Sequence, residues 1–280
     1  MVQVYIINIC IKLMMEPSSL TIFLSMRGNY IAKRTKPTRV NTKHTNNKFG
    51  FTNCTSLVPY GSNIGSTIII GRLPKNIQKL TYLPTWFYSI VVGILLSDGW
   101  LEKENLNANT RFRFKQSLSK SDYVIYSFLL LAHYCSSIPK IAKGERKGTI
   151  TYALHFSTRR YQCFNERYNL FYNNKIKVIP YNIYDILTPV ALAHWIMGDG
   201  AKRNKGLVLC TDSYSLSDVI KLSNVLRIKY NLNTTITGFI NNRPRIYIVP
   251  ESMPNFIKLV KPYVLESFWY KLQLNVYINN

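Results

Sequence analysis

Two apolar segments of this chain each close on an Asp-Gly pair. They cover residues 86–99 and residues 189–200, and their carboxylates are Asp98 and Asp199. We interpret each segment as an apolar helix. A carboxylate at the C-terminus of a helix gains nothing from the helix dipole, because that end already carries partial negative charge. The repeated arrangement therefore predicts that the two acids hold a cation.

From residue 84 onward the pattern of apolar and polar positions runs through one order of elements twice. In the first half it predicts a strand at 111–116, a helix at 121–134, strands near 138–142 and 150–156, and a helix at 161–171. In the second half it predicts a strand at 206–211, a helix at 217–230, strands at 234–240 and 245–249, and a helix at 254–264. Ser121 or Asp122 is the expected N-cap of the first polar helix. We predict a duplicated α/β (α+β) fold of two pseudo-symmetric αββαββα repeats, 84–183 and 184–280, after an N-terminal extension of residues 1–83.

The strand at 111–116 alternates cations with aromatic residues. Arg111, Arg113 and Lys115 share one face, and Phe112 and Phe114 share the other, because successive side chains of a strand point to opposite faces. A cationic face suits phosphates and the edges of a nucleic acid groove. The alternative is a strand face that is merely solvated.

Composition favours the first interpretation. The chain has 36 Lys and Arg against 13 Asp and Glu, a net charge of +23, and such an excess suits a polyanionic partner. Nucleic acid is favoured over a membrane surface. Ile, Asn, Lys and Tyr, whose codons are rich in A and T, make up 98 of the 280 residues, which points to an A/T-rich gene such as one from an organelle.

Cysteines and the N-terminus exclude other classes. The five cysteines include no Cys-x-x-Cys pair, so reduced thiols are expected instead of a zinc ribbon or a disulfide framework. The apolar residues 1–24 are interrupted by Lys12, Glu16 and Pro17, and the pieces are too short to span a bilayer. We expect an extension without a core of its own, continuous with upstream coding sequence, and a cleaved transit peptide is the alternative.

Small residues suggest how the two aspartates meet. They occupy equivalent positions in both apolar helices, at Gly93 and Ala193 and at Ser97 and Gly198. Helices that pack through small residues approach closely and would bring their C-terminal carboxylates together. Adjacent carboxylates repel unless a cation lies between them, and Mg²⁺ is commonly held by one or two carboxylates plus phosphate. Such a metal supports phosphodiester cleavage. The alternative is that each Asp-Gly only ends a helix.

The two segments resemble a known signature. Residues 91–99 (Val-Val-Gly-Ile-Leu-Leu-Ser-Asp-Gly) and 192–200 (Leu-Ala-His-Trp-Ile-Met-Gly-Asp-Gly) are similar to the motif of single-chain LAGLIDADG homing endonucleases, the intron-encoded DNases of organelle genomes. Supporting resemblance lies at 114–117, 177–180, 187–189 and 270–272, so it covers about residues 84–280. The resemblance implies a monomer with a DNA-binding saddle and staggered cleavage of a long double-stranded DNA site.

The resemblance also implies residue roles. Asp98 and Asp199 would bind Mg²⁺ or Mn²⁺, Lys177 and Lys271 would be peripheral active-site lysines, and Gln116 would line the site. The repeat partner of Gln116 is expected to be Asp212, and His194 is expected in the core or the helix interface. Predicted DNA contacts are Arg111, Arg113, Lys115, Lys202, Arg203, Arg243 and Arg245.

The rival function is an RNA maturase that assists splicing of its host intron. A DNA-binding regulator on the same scaffold would have lost an acid, and both acids are retained. The expected location is the mitochondrion, with the chloroplast as the alternative.

Overall fold

The computed structural model describes residue 68 and residues 71–105, 107–146, 148–238 and 243–274. The predictions made for residues 1–24, and for Cys10 and Cys54, lie outside these ranges. Within them, helix α1 (Lys75–Leu80) precedes the first repeat, and Leu83 is buried in the core. The last part of the expected extension is therefore folded. None of the described helices has the length and hydropathy needed to cross a membrane.

The first repeat has the predicted αββαββα order. Its elements are α2 (Thr85–Leu96), β1 (Trp100–Glu102), β2 (Arg111–Ser117), α3 (Ser121–Leu131), β3 (Lys140–Arg146), β4 (Thr149–Ser157) and α4 (Asn165–Phe171). The four strands form one antiparallel sheet in the order β1-β2-β4-β3, the first sheet. Strand β1 begins directly after the Asp-Gly pair, and three residues are too few to show alternation in the sequence.

A short hairpin and a one-turn helix join the repeats. The hairpin consists of β5 (Tyr172–Asn173) and β6 (Ile176–Lys177), and the helix is α5 (Ile183–Ile186). Asn174 and Lys175 form the two-residue turn with φ values of +48° and +66°. Two positive φ values are typical of the tight hairpin turn that matches strand twist. This turn fixes the position of Lys177.

The second repeat follows the same order. Its elements are α6 (Pro189–Asp199), β7 (Gly200–Arg203), β8 (Gly206–Leu209), α7 (Leu216–Tyr230), β9 (Thr234–Thr237), β10 (Arg245–Ile248) and α8 (Met253–Val260). Its antiparallel sheet, the second sheet, has the order β7-β8-β10-β9, which is equivalent to the first. A 3₁₀ segment, Glu266–Leu272, follows α8. The duplicated α/β fold is confirmed.

Helix boundaries differ from the prediction in detail. Helix α3 begins at Ser121, so neither Ser121 nor Asp122 is its N-cap; a 3₁₀ turn at 118–120 leads directly into it. Helix α7 begins at Leu216 and is capped by Ser215, whose hydroxyl accepts from the Asp218 amide. The predicted helices ending at 134 and 264 finish as 3₁₀ turns.

The core lies between the helices and one face of each sheet. Helix α3 packs on β2 and β4, and α7 packs on β9 and β10. Helices α2 and α6 pack against each other and are buried on all sides, as expected for helices that are apolar all round. Three described cysteines, Cys135, Cys163 and Cys210, are free thiols, as predicted.

Candidate active site at the ends of the paired helices

The two apolar helices meet through glycine. A Cβ on Gly93 would lie 2.2 Å from the Ala191 carbonyl oxygen, and a Cβ on Gly198 would lie 2.3 Å from Ser97 Oγ. Both distances are far below van der Waals contact. The prediction of close packing through small residues is confirmed at these positions. It carries Asp98 to the backbone of Gly198, directly before Asp199, because the same Cβ would lie 3.5 Å from Asp98 Oδ2.

Two tyrosines brace the helices across the repeats. Tyr123 of the first repeat donates to the carbonyl of His194 on α6 at 3.0 Å, and its hydroxyl also lies 3.1 Å from His194 Nδ1. Tyr214 of the second repeat lies 3.3 Å from two terminal carbonyl oxygens of α2. His194 is 1% exposed, and burial lowers its pKa to about 3, so it is neutral. Its expected place in the helix interface is confirmed.

The two carboxylates have different surroundings. Asp98 accepts a short hydrogen bond from Gln116 Nε2. Burial and the neighbouring Asp98 carboxylate together raise the pKa of Asp199 to about 7, against the opposing effect of Lys177 and Lys271. A carboxyl group with this pKa is half protonated near neutrality when no other cation is bound. The pair therefore has an unmet need for positive charge.

Each predicted lysine reaches the C-terminus of one helix. Lys177 Nζ donates to the carbonyls of Ser97 and Gly99 at 3.2 and 2.8 Å. Lys271 Nζ donates to the last carbonyls of α6, those of residues 196, 197 and 198, at 3.0, 2.8 and 3.2 Å. Cations at a helix C-terminus are stabilised by the dipole and satisfy orphan carbonyls. The structure thus brings both lysines to the ends that carry the aspartates.

Both lysines have pKa values well below that of an ordinary lysine side chain. Burial lowers the pKa of Lys177 to about 8, although both aspartates oppose the shift. Burial and the charge of Lys120 lower the pKa of Lys271 to about 8, and this side chain is only 4% exposed. Each ammonium can therefore lose a proton within the physiological range, which suits groups that handle protons.

Two surface depressions lie beside the aspartates, one for each. The first is lined by Asp98, Lys115 and Gln116 among others. The second is lined by Asp199, Lys271 and Lys120 among others. Lys120 was missed by sequence reasoning, because a single lysine before a helix gives no signal of its own.

The expected partner of Gln116 is wrong by one residue. Trp100, two residues after Asp98, pairs with Arg113 in the first sheet. Ala201, two residues after Asp199, pairs with Val208 in the second sheet. Three residues further along these strands lie Gln116 and Thr211. Thr211, not Asp212, is therefore the counterpart of Gln116. The repeat pattern carries no strand register, so it did not reveal this shift of one residue.

The two sites are consequently unequal. The Thr211 hydroxyl is buried and donates to the Pro244 carbonyl at 2.6 Å. Asp212 accepts from Arg245 Nε and Nη2, both at 2.6 Å, and this pairing lowers its pKa. The position of the Gln116 amide, which donates to Asp98, is thus occupied in the second repeat by a hydroxyl that donates to a backbone carbonyl instead.

The predicted cationic face of β2 is present. Phe112, Phe114 and Gln116 are buried, whereas the alternating positions 111, 113, 115 and 117 are half-buried or exposed. Arg111 and Arg113 both donate to Glu102 on β1, at 2.6 and 2.5 Å. Lys115 is exposed beside the first depression.

The other predicted DNA contacts lie in the second repeat. Lys202 and Arg203 are consecutive exposed residues of β7, so they point to opposite faces. Arg203 lies over the Tyr247 ring at 5.8 Å, and Arg243 is exposed. Arg245 is held by Asp212. This half offers a more dispersed set of cations than the face of β2.

A divalent cation fits the acids of the site. In the ranges described, no group of three or more His, Cys, Asp or Glu side chains is placed to hold a metal, and the candidate ligands at this site are the two carboxylates of Asp98 and Asp199. Two carboxylates with the remaining positions left to water and phosphate oxygens match the way Mg²⁺ is usually bound. The raised pKa of Asp199 is the expected mark of a carboxylate that lacks such a counter-ion.

Comparisons with known proteins agree with this geometry. Residues 88–256 match the LAGLIDADG DNA endonuclease family. Cytochrome b mRNA maturase bI2 of Debaryomyces hansenii is 38% identical over 65% of this chain and 72% of its own length. The maturase of the same name from Saccharomyces cerevisiae is 40% identical over 66% of this chain, but only 46% of its own length is spanned.

Endonucleases are among the relatives as well. Intron-encoded endonuclease ai4 of Dictyostelium discoideum is 33% identical over 53% of this chain and 98% of its own length. The solved structure of the homing endonuclease I-WcaI bound to its DNA recognition sequence superposes with a TM-score of 0.69 at 27% identity, covering 76% of this chain and 99% of that one. The chain belongs to the LAGLIDADG DNA endonuclease family, within the intron-encoded homing endonucleases.

Proposed function

We propose that this protein is a site-specific double-stranded DNA endonuclease that promotes intron homing by metal-dependent phosphodiester hydrolysis. The observation that supports this proposal is that Asp98 and Asp199 lie together at the ends of two packed helices. Each aspartate lies beside a surface depression, and a lysine reaches the end of each helix. The family and the DNA-bound relative support the substrate class.

The residues divide the work by their chemistry. Asp98 and Asp199 would hold Mg²⁺ or Mn²⁺, which supplies charge stabilisation and an activated water at the scissile phosphates. Gln116 orients the Asp98 carboxylate through its amide. Lys177 and Lys271 donate to the helix-end carbonyls beside the aspartates, so their positive charge would act on the scissile phosphates from there, and with pKa values near 8 each would exchange a proton close to neutral pH.

The surfaces fit a duplex. The cationic face of β2 and the dispersed cations of the second repeat would contact the backbone and groove edges of a long asymmetric site. The two repeats lie within one chain, so a monomer supplies both halves. We propose a mitochondrial location, since two relatives are named for the cytochrome b mRNA.

Cleavage of a duplex that spans the junction of the intronless gene tests this proposal. Wild type with Mg²⁺ should cut both strands. Asp98→Asn and Asp199→Asn should each reduce double-strand cleavage at least about a hundredfold, because a metal in such a site contributes several kcal/mol. The matched control is Asp185→Asn, an exposed acid on α5, which should cut normally. Undiminished cutting by either site variant contradicts the assignment.

A maturase is the second candidate. The observation that favours it is the 38% and 40% identity to two proteins named cytochrome b mRNA maturase. Splicing needs a basic surface but not the two acids. Splicing of the precursor RNA by the Asp98→Asn variant would support a dual function, and unchanged splicing without any protein would exclude it.

A further inference from the structure

A single acid organises the arginines on the first sheet. Glu102 of β1 accepts from Arg111 Nη2 at 2.6 Å and from Arg113 Nη1 at 2.5 Å, with one carboxylate oxygen for each. Arg160 Nη2 lies 3.5 Å from the same carboxylate. We call these four residues the Glu102 cluster.

The Glu102 cluster immobilises the cations of the predicted DNA-facing strand. Arg111 and Arg113 lie on one face of β2 and would repel each other without an acid between them. Arg113 also lies over the Trp100 ring, with its guanidinium carbon 5.3 Å from the ring centroid. Both arginine side chains are only about 30% exposed (29% and 30%). Their guanidinium groups are therefore held in position before any ligand arrives.

Fixed and mobile arginines act differently on DNA. A mobile arginine binds phosphate wherever it finds it, which adds affinity without sequence information. A guanidinium already held in place loses less conformational entropy when it reads a guanine edge, and each good bidentate contact discriminates against the wrong base. The carboxylate also competes with phosphate for the same donors, so it weakens non-specific binding.

The second sheet has no acid at the position equivalent to Glu102. Four residues after Asp98 the chain has Glu102, and four residues after Asp199 it has Arg203. These positions are equivalent in the two sheets, since both follow the same Asp-Gly pair into the first strand. Among the described residues, an acid shared by two arginines of the same strand is thus found in the first repeat, whereas Asp212 of the second repeat pairs with Arg245.

We infer that Glu102 is a positioning residue: by holding Arg111 and Arg113, it determines how well these two arginines distinguish one base pair from another in the DNA that contacts the first sheet. The inference rests on the proposed DNA target and deepens it. It concerns which base pairs are read and leaves the cleavage chemistry untouched.

The chain offers a matched control for the test. Glu104 lies in the same loop, is 64% exposed on its side chain and pairs with Arg160. Glu102→Gln and Glu104→Gln remove one negative charge each at nearly constant volume. Only the first should release an arginine of β2, because the single carbonyl oxygen of Gln can accept from Arg111 or Arg113 while its NH2 group cannot accept from the other.

Binding is measured with EDTA, to prevent cleavage, on the junction duplex and on every single base-pair substitution of it. Both variants should tighten binding to an unrelated duplex alike. Glu102→Gln alone should lose discrimination, by about tenfold, at one contiguous set of positions in one half-site. Glu104→Gln should discriminate as wild type does.

The outcomes are distinct. The inference is overturned if wild type and Glu102→Gln discriminate equally between base pairs, or if both variants lose the same amount of discrimination. In either case, holding the arginines in position would have no effect beyond the change in net charge. Loss spread evenly over both half-sites also overturns it. Failure of wild type to prefer the junction duplex over an unrelated one overturns the proposed function itself, and this inference with it.

Discussion

Replacing Gly93 with alanine tests how the two helices bring the aspartates together. A Cβ at this position would lie 2.2 Å from the Ala191 carbonyl oxygen and 2.5 Å from His194 Cβ. Neither atom belongs to a flexible side-chain end, since one is backbone and the other is fixed to it. The added methyl group can be accommodated only if α2 and α6 move apart, by about 1 Å, to recover normal contact distances.

The expected magnitude follows from two opposing effects. In a helix interior, alanine is better than glycine by about 1 kcal/mol. Overpacking a tight core costs about 1–3 kcal/mol or more, and contact with rigid backbone places this site at the upper end. We expect a net loss of about 2 kcal/mol in the free energy of unfolding. Cleavage should fall by about a hundredfold, because misplacing reacting groups by about 1 Å has that effect.

Urea denaturation and single-turnover cleavage of the purified protein measure both quantities. Gly71→Ala is the control, since a Cβ there meets nothing within 4 Å and the residue lies outside both depressions. It should leave stability within about 0.5 kcal/mol and cleavage unchanged. Stabilisation by Gly93→Ala, as helix propensity alone predicts, would refute the close approach of the helices.

Two further predictions concern the brace and the acids. Tyr123→Phe should lower the free energy of unfolding by about 1–3 kcal/mol, because it leaves buried polar atoms of His194 without their partner. The control is Tyr126→Phe, since the Tyr126 ring only stacks on His194. This variant should change the free energy of unfolding by less than about 0.5 kcal/mol in the same urea titration. Asp199 has a folded-state pKa of about 7 against an ordinary 3.8, so the folded protein binds the proton of this carboxyl group more tightly than the unfolded chain does. In metal-free buffer, the free energy of unfolding of the wild type should therefore fall relative to that of Asp199→Asn as pH rises from about 4 to about 7. A stability difference between the two proteins that is flat across this range, measured by urea denaturation, would show that Asp199 is not buried beside another acid.

Sequence patterns predicted the long elements and missed the short ones. The sequence predicted helices α2, α6 and α7 and strand β2, because each of them shows either a sustained periodicity of apolar positions or a continuous apolar run. Strands β1 and β7, which follow the Asp-Gly pairs, are only three and four residues long. The N-cap of α3 was misplaced because a 3₁₀ turn precedes the helix, and such a turn leaves no separate mark in the pattern.

The candidate site was predicted in its acids and lysines but not in its environment. Equivalent positions in a duplicated chain predict from the sequence alone that Asp98 and Asp199 form a pair. The repeat pattern gave Asp212 as the partner of Gln116, and the strand register gives Thr211 instead. Lys120 and Glu102 were missed, since each acts through neighbours that are distant along the chain.

What the sequence determined by itself is the duplicated pattern, the two acids at the ends of apolar helices and the excess of positive charge, because periodicity and composition are local properties. The tertiary structure decided which groups meet. Packing through Gly93 and Gly198 brings the carboxylates together, and burial, with the nearby charges of Asp98 and Lys120, moves the pKa values of Asp199, Lys177 and Lys271 toward neutrality. Only strand register sets Glu102 against two arginines. These properties depend on distances and desolvation, which no residue carries alone.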